Sequence, residues 1–210
     1  MPEKYLSVSG RTQTKKIIEK SKFITTSCHV EGEEEARAFI AEISKEYSDA
    51  THNCYAYIAD DKGNFLRFSD DGEPQGTAGM PMLEVLKSKD LRQTAVVVTR
   101  YFGGIKLGAG GLLRAYSGCA SENLEEAQKV QYEPCAELEI TVSYSSVDAV
   151  LRYLQEKKAD ILNTMYLNDA IFTVAVKKSG EEEFSSSLVN LLNGKVKIKR
   201  LKEYFFPFKV

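Results

Sequence analysis

The spacing of apolar positions changes period along the chain, and each change marks an element. Short, crowded runs of apolar and β-branched residues predict strands at Phe23–Val30, His52–Ala59 and Thr94–Phe102, with Thr12–Glu19 and Phe65–Phe68 beside them. Between these, Ala36, Phe39, Ile40, Ile43 and Tyr47 recur at helical spacing and predict a helix over Glu33–Tyr47. Helices are also predicted over Gly79–Lys87 and Gly111–Gln128. Residues 1–133 therefore read as a sheet with helices packed on one face.

Residues 134–210 follow a different rhythm. Cys135–Val142 alternates as a half-buried strand, and Ser145 with Asp148 has the spacing of a capping box. That box would open a helix carrying Val147, Val150, Leu151 and Leu154 on one face. Strands over Ile161–Leu167 and Ala170–Val176 meet at the tight-turn pair Asn168-Asp169. A second helix carries Phe184, Leu188, Leu191 and Leu192 and stops at Asn193-Gly194, where a left-handed residue is expected. A final strand runs Val196–Phe206. The order βαββαβ is the ferredoxin-like pattern. The chain is thus expected to be α+β, with a boundary near Tyr132-Glu133-Pro134.

Composition narrows the function classes. The 210 residues carry a formal net charge of −2, which argues against a binder driven by bulk charge. Charge is nevertheless uneven, since Lys195, Lys197, Lys199, Arg200, Lys202 and Lys209 face only Glu203 at the C-terminal end. Such a stripe suits either a solvated edge strand or a second phosphate contact. No apolar run reaches the ~20 residues of a membrane span, and the start lacks a signal-like segment, so a cytoplasmic protein with no membrane partner is expected. Cys28, Cys54, Cys119 and Cys135 are scattered, which favours free thiols over a disulfide or zinc framework. No sequence feature marks an oligomeric state.

Chemistry-bearing residues concentrate in two segments. The first follows the Val96–Thr99 strand: Arg100, Tyr101, Gly103, Gly104, Lys106, Gly108, Gly110, Gly111 and Arg114 lead into a helix. A strand, a glycine-rich loop and a helix start expose backbone N–H groups at the positive end of a helix dipole, which suits an anion such as phosphate. The pattern is neither a dinucleotide fingerprint nor a P-loop, and glycines that only permit close packing are the alternative. The second segment is Asp70-Asp71-Gly72-Glu73-Pro74, followed by Gly76-Thr77-Ala78-Gly79. Asp70, Asp71 and Glu73 fit a hard-cation or ligand site, or equally a turn and helix cap. His52 shares a strand face with Cys54, Ala56 and Ile58, so a Cys–His pair is conceivable, as is a ligand-facing or structural histidine.

These two segments, together with His52-Asn53-Cys54-Tyr55-Ala56-Tyr57, resemble the IMPACT/YigZ family, and the resemblance spans the chain. It implies an N-terminal domain similar to domain 2 of ribosomal protein S5 over 1–133, and a ferredoxin-like domain over 134–210. That pairing looks like the last two domains of translation elongation factor G, which touch ribosomal RNA. Eukaryotic relatives are linked to translational control through an additional domain, so that activity is not carried over to this chain.

The expectation is a non-enzymatic protein that binds RNA or the ribosome through the glycine-rich loop, with a possible part in regulating translation and no cofactor. Tyr101, Phe102 and Tyr116 offer stacking rings, with one or two of them expected in the core. The alternative is a Mg²⁺-dependent nucleotide- or phosphate-handling enzyme using Asp70, Asp71 or Glu73 for the metal and Lys106 for developing charge.

Overall fold

A computed structural model describes residues 4–210. The chain forms two compact units, one reaching to Gln131 and including Lys209–Val210, the other Tyr132–Phe208. Both are α+β, with antiparallel sheets.

In the first unit the strands are β1 (Tyr5–Val8), β2 (Arg11–Ile18), β3 (Ser21–His29), β4 (His52–Ile58), β5 (Leu66–Ser69) and β6 (Thr94–Tyr101). Its helices are α1 (Glu33–Glu46), α2 (Gly79–Ser88) and α3 (Gly108–Glu126). The sheet order is β2-β3-β6-β4-β5, so β6 is central and flanked by β3 and β4. β1, a four-residue strand, has too few positions to show a period in the sequence; its Leu6 makes an isolated parallel bridge to Leu91.

Helices cover both faces of this sheet, not one. Cys54, Ala56, Ile58, Val96 and Val98 pack with Met82, Leu86, Leu112, Tyr116 and Leu124 from α2 and α3. The alternate residues Tyr57, Ala95 and Val97 pack with Ala36, Phe39 and Ile43 from α1. The near-continuous apolar run of β6 follows from this, because a strand buried on both faces cannot alternate with polar residues. A one-residue slip would exchange the two sets against mismatched helices, so register is firmly held.

The second unit contains β8 (Asp160–Tyr166), β9 (Ala170–Lys177), β10 (Lys197–Lys209), α4 (Val147–Glu156) and α5 (Glu181–Leu191), following β7 (Lys129–Val142). Its sheet runs β10-β7-β9-β8 with the βαββαβ connectivity of a ferredoxin-like domain, and β7, whose first residues belong to the first unit, also pairs with β1. The division between units falls inside β7, so Pro134 sits within a strand and not in a linker. The capping box does not form. Ser145 Oγ bonds Ser143 Oγ at 3.0 Å, a 3₁₀ turn occupies Tyr144–Ser146, and α4 starts at Val147 with no side-chain cap. Leu151 and Leu191, assigned to the buried faces, are exposed, while Tyr153 takes a core place and bonds the Phe184 carbonyl at 2.7 Å. Asn193 and Gly194 do adopt positive φ, 49° and 77°, as the helix stop requires.

Candidate functional site

The site begins at the end of β6. Val96, Val98 and Arg100 share a face, so the alternation that buries the two valines also carries the Arg100 guanidinium inward. His52 of β4 lies opposite Arg100 on one side and Phe23 of β3 on the other. Arg100 is only 4% exposed, and a charge so buried needs a partner. Glu73 supplies it: Arg100 Nη1 reaches Glu73 Oε1 at 2.6 Å. Arg100 Nη2 also donates to Ser21 Oγ at 3.2 Å, and the guanidinium lies 5.5 Å from the Phe23 ring centre and 5.4 Å from that of Phe102. Its Nε has no hydrogen-bond partner.

Glu73 is delivered by a tight turn. Asp71 and Gly72 both take positive φ, and Glu73 N–H donates to the Asp70 carbonyl at 2.9 Å. Tyr116 of α3 donates its hydroxyl to Glu73 Oε1 at 2.8 Å. Burial, with Cys54 and Glu73 nearby, pushes the Tyr116 phenol far above the ordinary tyrosine range. Tyr116 is therefore part of the core and not a stacking ring. His52 Nδ1–H donates to the Asp71 carbonyl at 2.7 Å, and its Nε2 stands 3.9 Å from Glu73 Oε2. The DDGEP turn, β4, β6 and α3 thus converge on one buried carboxylate.

Asp70 and Asp71 turn to the backbone. Asp70 accepts N–H groups from Gly76 (2.8 Å), Ala78 (2.9 Å) and Gly79 (2.9 Å), anchoring the start of α2. Partial burial acts to raise its carboxyl, but the three amides outweigh burial and hold it below the usual aspartate range. Asp71 Oδ2 accepts the Asn53 N–H at 2.6 Å. Among the described residues, no three His, Cys, Asp or Glu side chains gather as metal ligands. Cys54 is buried, donates to the Asp70 carbonyl at 3.0 Å, and burial pushes its thiol up to about 12. It does not pair with His52 as a nucleophile would.

The glycine-rich segment divides by role. Gly103 is a packing residue, since a Cβ there would lie 2.0 Å from the Lys20 backbone. Gly108 opens α3 at φ +68°, a left-handed conformation that favours glycine. Gly110 has neither constraint; its missing Cβ would meet only Arg114 Nη1, at 3.5 Å. Gly104, Lys106, Gly108, Gly110 and Arg114 are exposed, and Gly111 half-exposed. The first turn of α3 has no side-chain cap and no acidic residue. Its N–H groups keep their partial positive charge. Tyr101 points away from the others, bonding Asp49 Oδ1 at 2.7 Å, which with burial pushes its phenol up to about 12.

A cleft of about 410 Å³ joins the two motifs. His52, Glu73 and Arg100 line one part, Lys106, Gly108 and Ala109 another, and Pro74, Phe102, Leu107 and Leu112 give apolar wall between. Thr51 also lines it and accepts the Phe102 N–H at 3.0 Å. Thr51 carried no sequence signal, as an ordinary residue whose place depends on packing.

Fold and site together define an α+β protein of two units in which a glycine-rich helix start and a buried Glu–Arg pair share one cleft. Comparison with known proteins gives this class a family. Residues 19–124 match the Impact N-terminal domain and residues 140–195 match a domain of unknown function, DUF1949. The chain is 40% identical to the IMPACT family member YvyE of Bacillus subtilis over 95% of its own length and 92% of that protein's. It is 36% identical to the IMPACT family member YigZ of Escherichia coli, covering 89% of this chain and 92% of that one. A crystal structure of a hypothetical protein matches with a TM-score of 0.63 at 33% identity, covering 96% and 99% of the two chains. The protein belongs to the IMPACT family. No helix among the described residues is long and apolar enough to cross a membrane.

Proposed function

We propose that this chain is a cytoplasmic binding protein, not a catalyst, and that it engages RNA or the ribosome through the start of α3. The observation that carries the reading is the uncapped first turn of α3, exposed beside Lys106 on a cleft. Backbone N–H groups and an ammonium suit a phosphate oxygen. Arg100 has a different part from the one its sequence suggests: its charge is neutralised by Glu73, and it shapes the cleft without meeting the phosphate. Arg114, with Nη1 over Gly110, adds a second exposed cation.

On the second unit, Lys195, Lys197 and Lys199 are exposed, whereas Arg200 pairs with Glu181 and Glu203, and Lys202 with Glu137. The first three offer a further phosphate contact. A role in regulating translation follows the resemblance to ribosome-contacting domains. The Mg²⁺-enzyme alternative draws no such support, because Asp70 and Asp71 serve backbone amides and Glu73 serves Arg100 and Tyr116.

Sedimentation of cell extract across a salt series tests the reading. The expected result is co-migration with ribosomal subunits that salt reverses, weakened in Lys106→Ala, with a salt slope shallower by about 0.7–0.9 per lost contact. Migration as a free protein at low salt, with no binding to purified RNA, would overturn it.

A further inference from the structure

Resting on that reading, we infer that the cleft admits one unpaired nucleotide, with its phosphate on the α3 start and its base against Phe102, and that it binds a single strand in preference to a base-paired duplex. Three observations carry this. The volume, about 410 Å³, lies at the lower end of the range for small-ligand sites, in keeping with a single nucleotide. Its chemistry is split: Lys106 and the Gly108 and Ala109 backbone at one part, apolar Pro74, Leu107 and Leu112 beside it. A bare phosphate site needs no such apolar wall, and a wholly apolar pocket needs no cation.

The third observation concerns Phe102. Phe102 is 46% exposed and lines the cleft, yet the buried Arg100 guanidinium lies 5.4 Å from its ring centre. Arg100 is itself held by Glu73, so the ring is propped in place before any ligand arrives. A pre-positioned aromatic face beside an anion site is the arrangement that stacks a base while the phosphate is gripped. In a duplex the bases are already stacked and paired, and only the phosphate contact survives.

Fluorescence anisotropy on the full chain tests the inference, with a short 5′-phosphorylated oligoadenylate as probe and the same strand annealed to oligouridylate as comparison. The single strand should bind at least about tenfold more tightly than the duplex. Phe102→Ala should lose about tenfold for the single strand and little for the duplex, with Phe102→Tyr restoring affinity. That rescue and an unchanged melting temperature separate loss of stacking from misfolding. Competition by adenosine 5′-monophosphate supports the same chemistry and assigns the nucleotide to a free pool; competition by oligonucleotide alone assigns it to a strand. Equal affinity for strand and duplex, both weakened by Lys106→Ala, would overturn this inference while the RNA-binding reading stands. Binding of neither probe would remove both.

Discussion

Glu73 and Arg100, 27 positions apart in sequence, meet as a buried ion pair at 2.6 Å with each side chain about 5% exposed or less. Each belongs to a different motif, so the pair locks the DDGEP turn to the end of β6. The carboxylate is further satisfied by Tyr116 and the guanidinium by Ser21. Such a pair contributes little net stability relative to apolar residues of the same shape, but removing one partner strands the other charge.

Glu73→Ala should therefore destabilise the first unit by about 3–5 kcal/mol, whereas Glu73→Ala with Arg100→Met should recover a substantial part. Urea unfolding followed by circular dichroism reads both. If the double variant were no more stable than Glu73→Ala, the cost would come from packing and not from the unpaired charge.

Asp70 sets an acid limit. Its folded carboxyl is held below the unfolded value near 3.9, so the stabilisation it contributes is complete above that value. That contribution is lost as pH falls from there through the lower folded value, because the unfolded carboxyl takes up a proton that folding must release. Wild type should thus lose stability steeply below about pH 4, and Asp70→Asn, which keeps the shape without the charge, should show a shallower loss. Melting temperature measured from pH 7 to pH 2 decides between the two.

Gly110 separates folding from binding. Its backbone is right-handed and a Cβ would make only ordinary contact, so Gly110→Ala should stabilise α3 by about 0.4–1 kcal/mol. The same methyl narrows access to the first-turn amides, so RNA affinity should fall as the melting temperature rises. Gly103→Ala should instead prevent normal folding, because the Lys20 backbone occupies the space. Gains in both stability and affinity for Gly110→Ala would remove the role given to that turn.

The thiols should be inert in the folded chain. Burial pushes Cys28 and Cys54 up to about 12 and Cys119 to about 11, and raises Cys135. At pH 8 almost no thiolate is present at Cys28, Cys54 or Cys119, and burial shields Cys135, so a disulfide reagent should react slowly until denaturant is added, then with all four. Rapid native reaction at Cys54 would revive a Cys–His nucleophile.

Periodicity and turn chemistry, being local, were enough to define most elements of this protein, including the βαββαβ order and the Asn193-Gly194 stop. They also marked the residues that line the cleft's polar part, because His52, Glu73, Arg100 and Lys106 are unusual types in unusual company. Local pattern could not say that helices cover both faces of the first sheet, since an apolar run looks alike whichever helices cover it. Nor could it distinguish the three carboxylates. Asp70 caps, Asp71 bonds a strand amide and Glu73 neutralises Arg100, and those roles depend on which groups lie within about 3 Å after packing. Pairing between positions distant in sequence has no local signature; only the tertiary structure decides it, because burial alone forces each charge to find its partner.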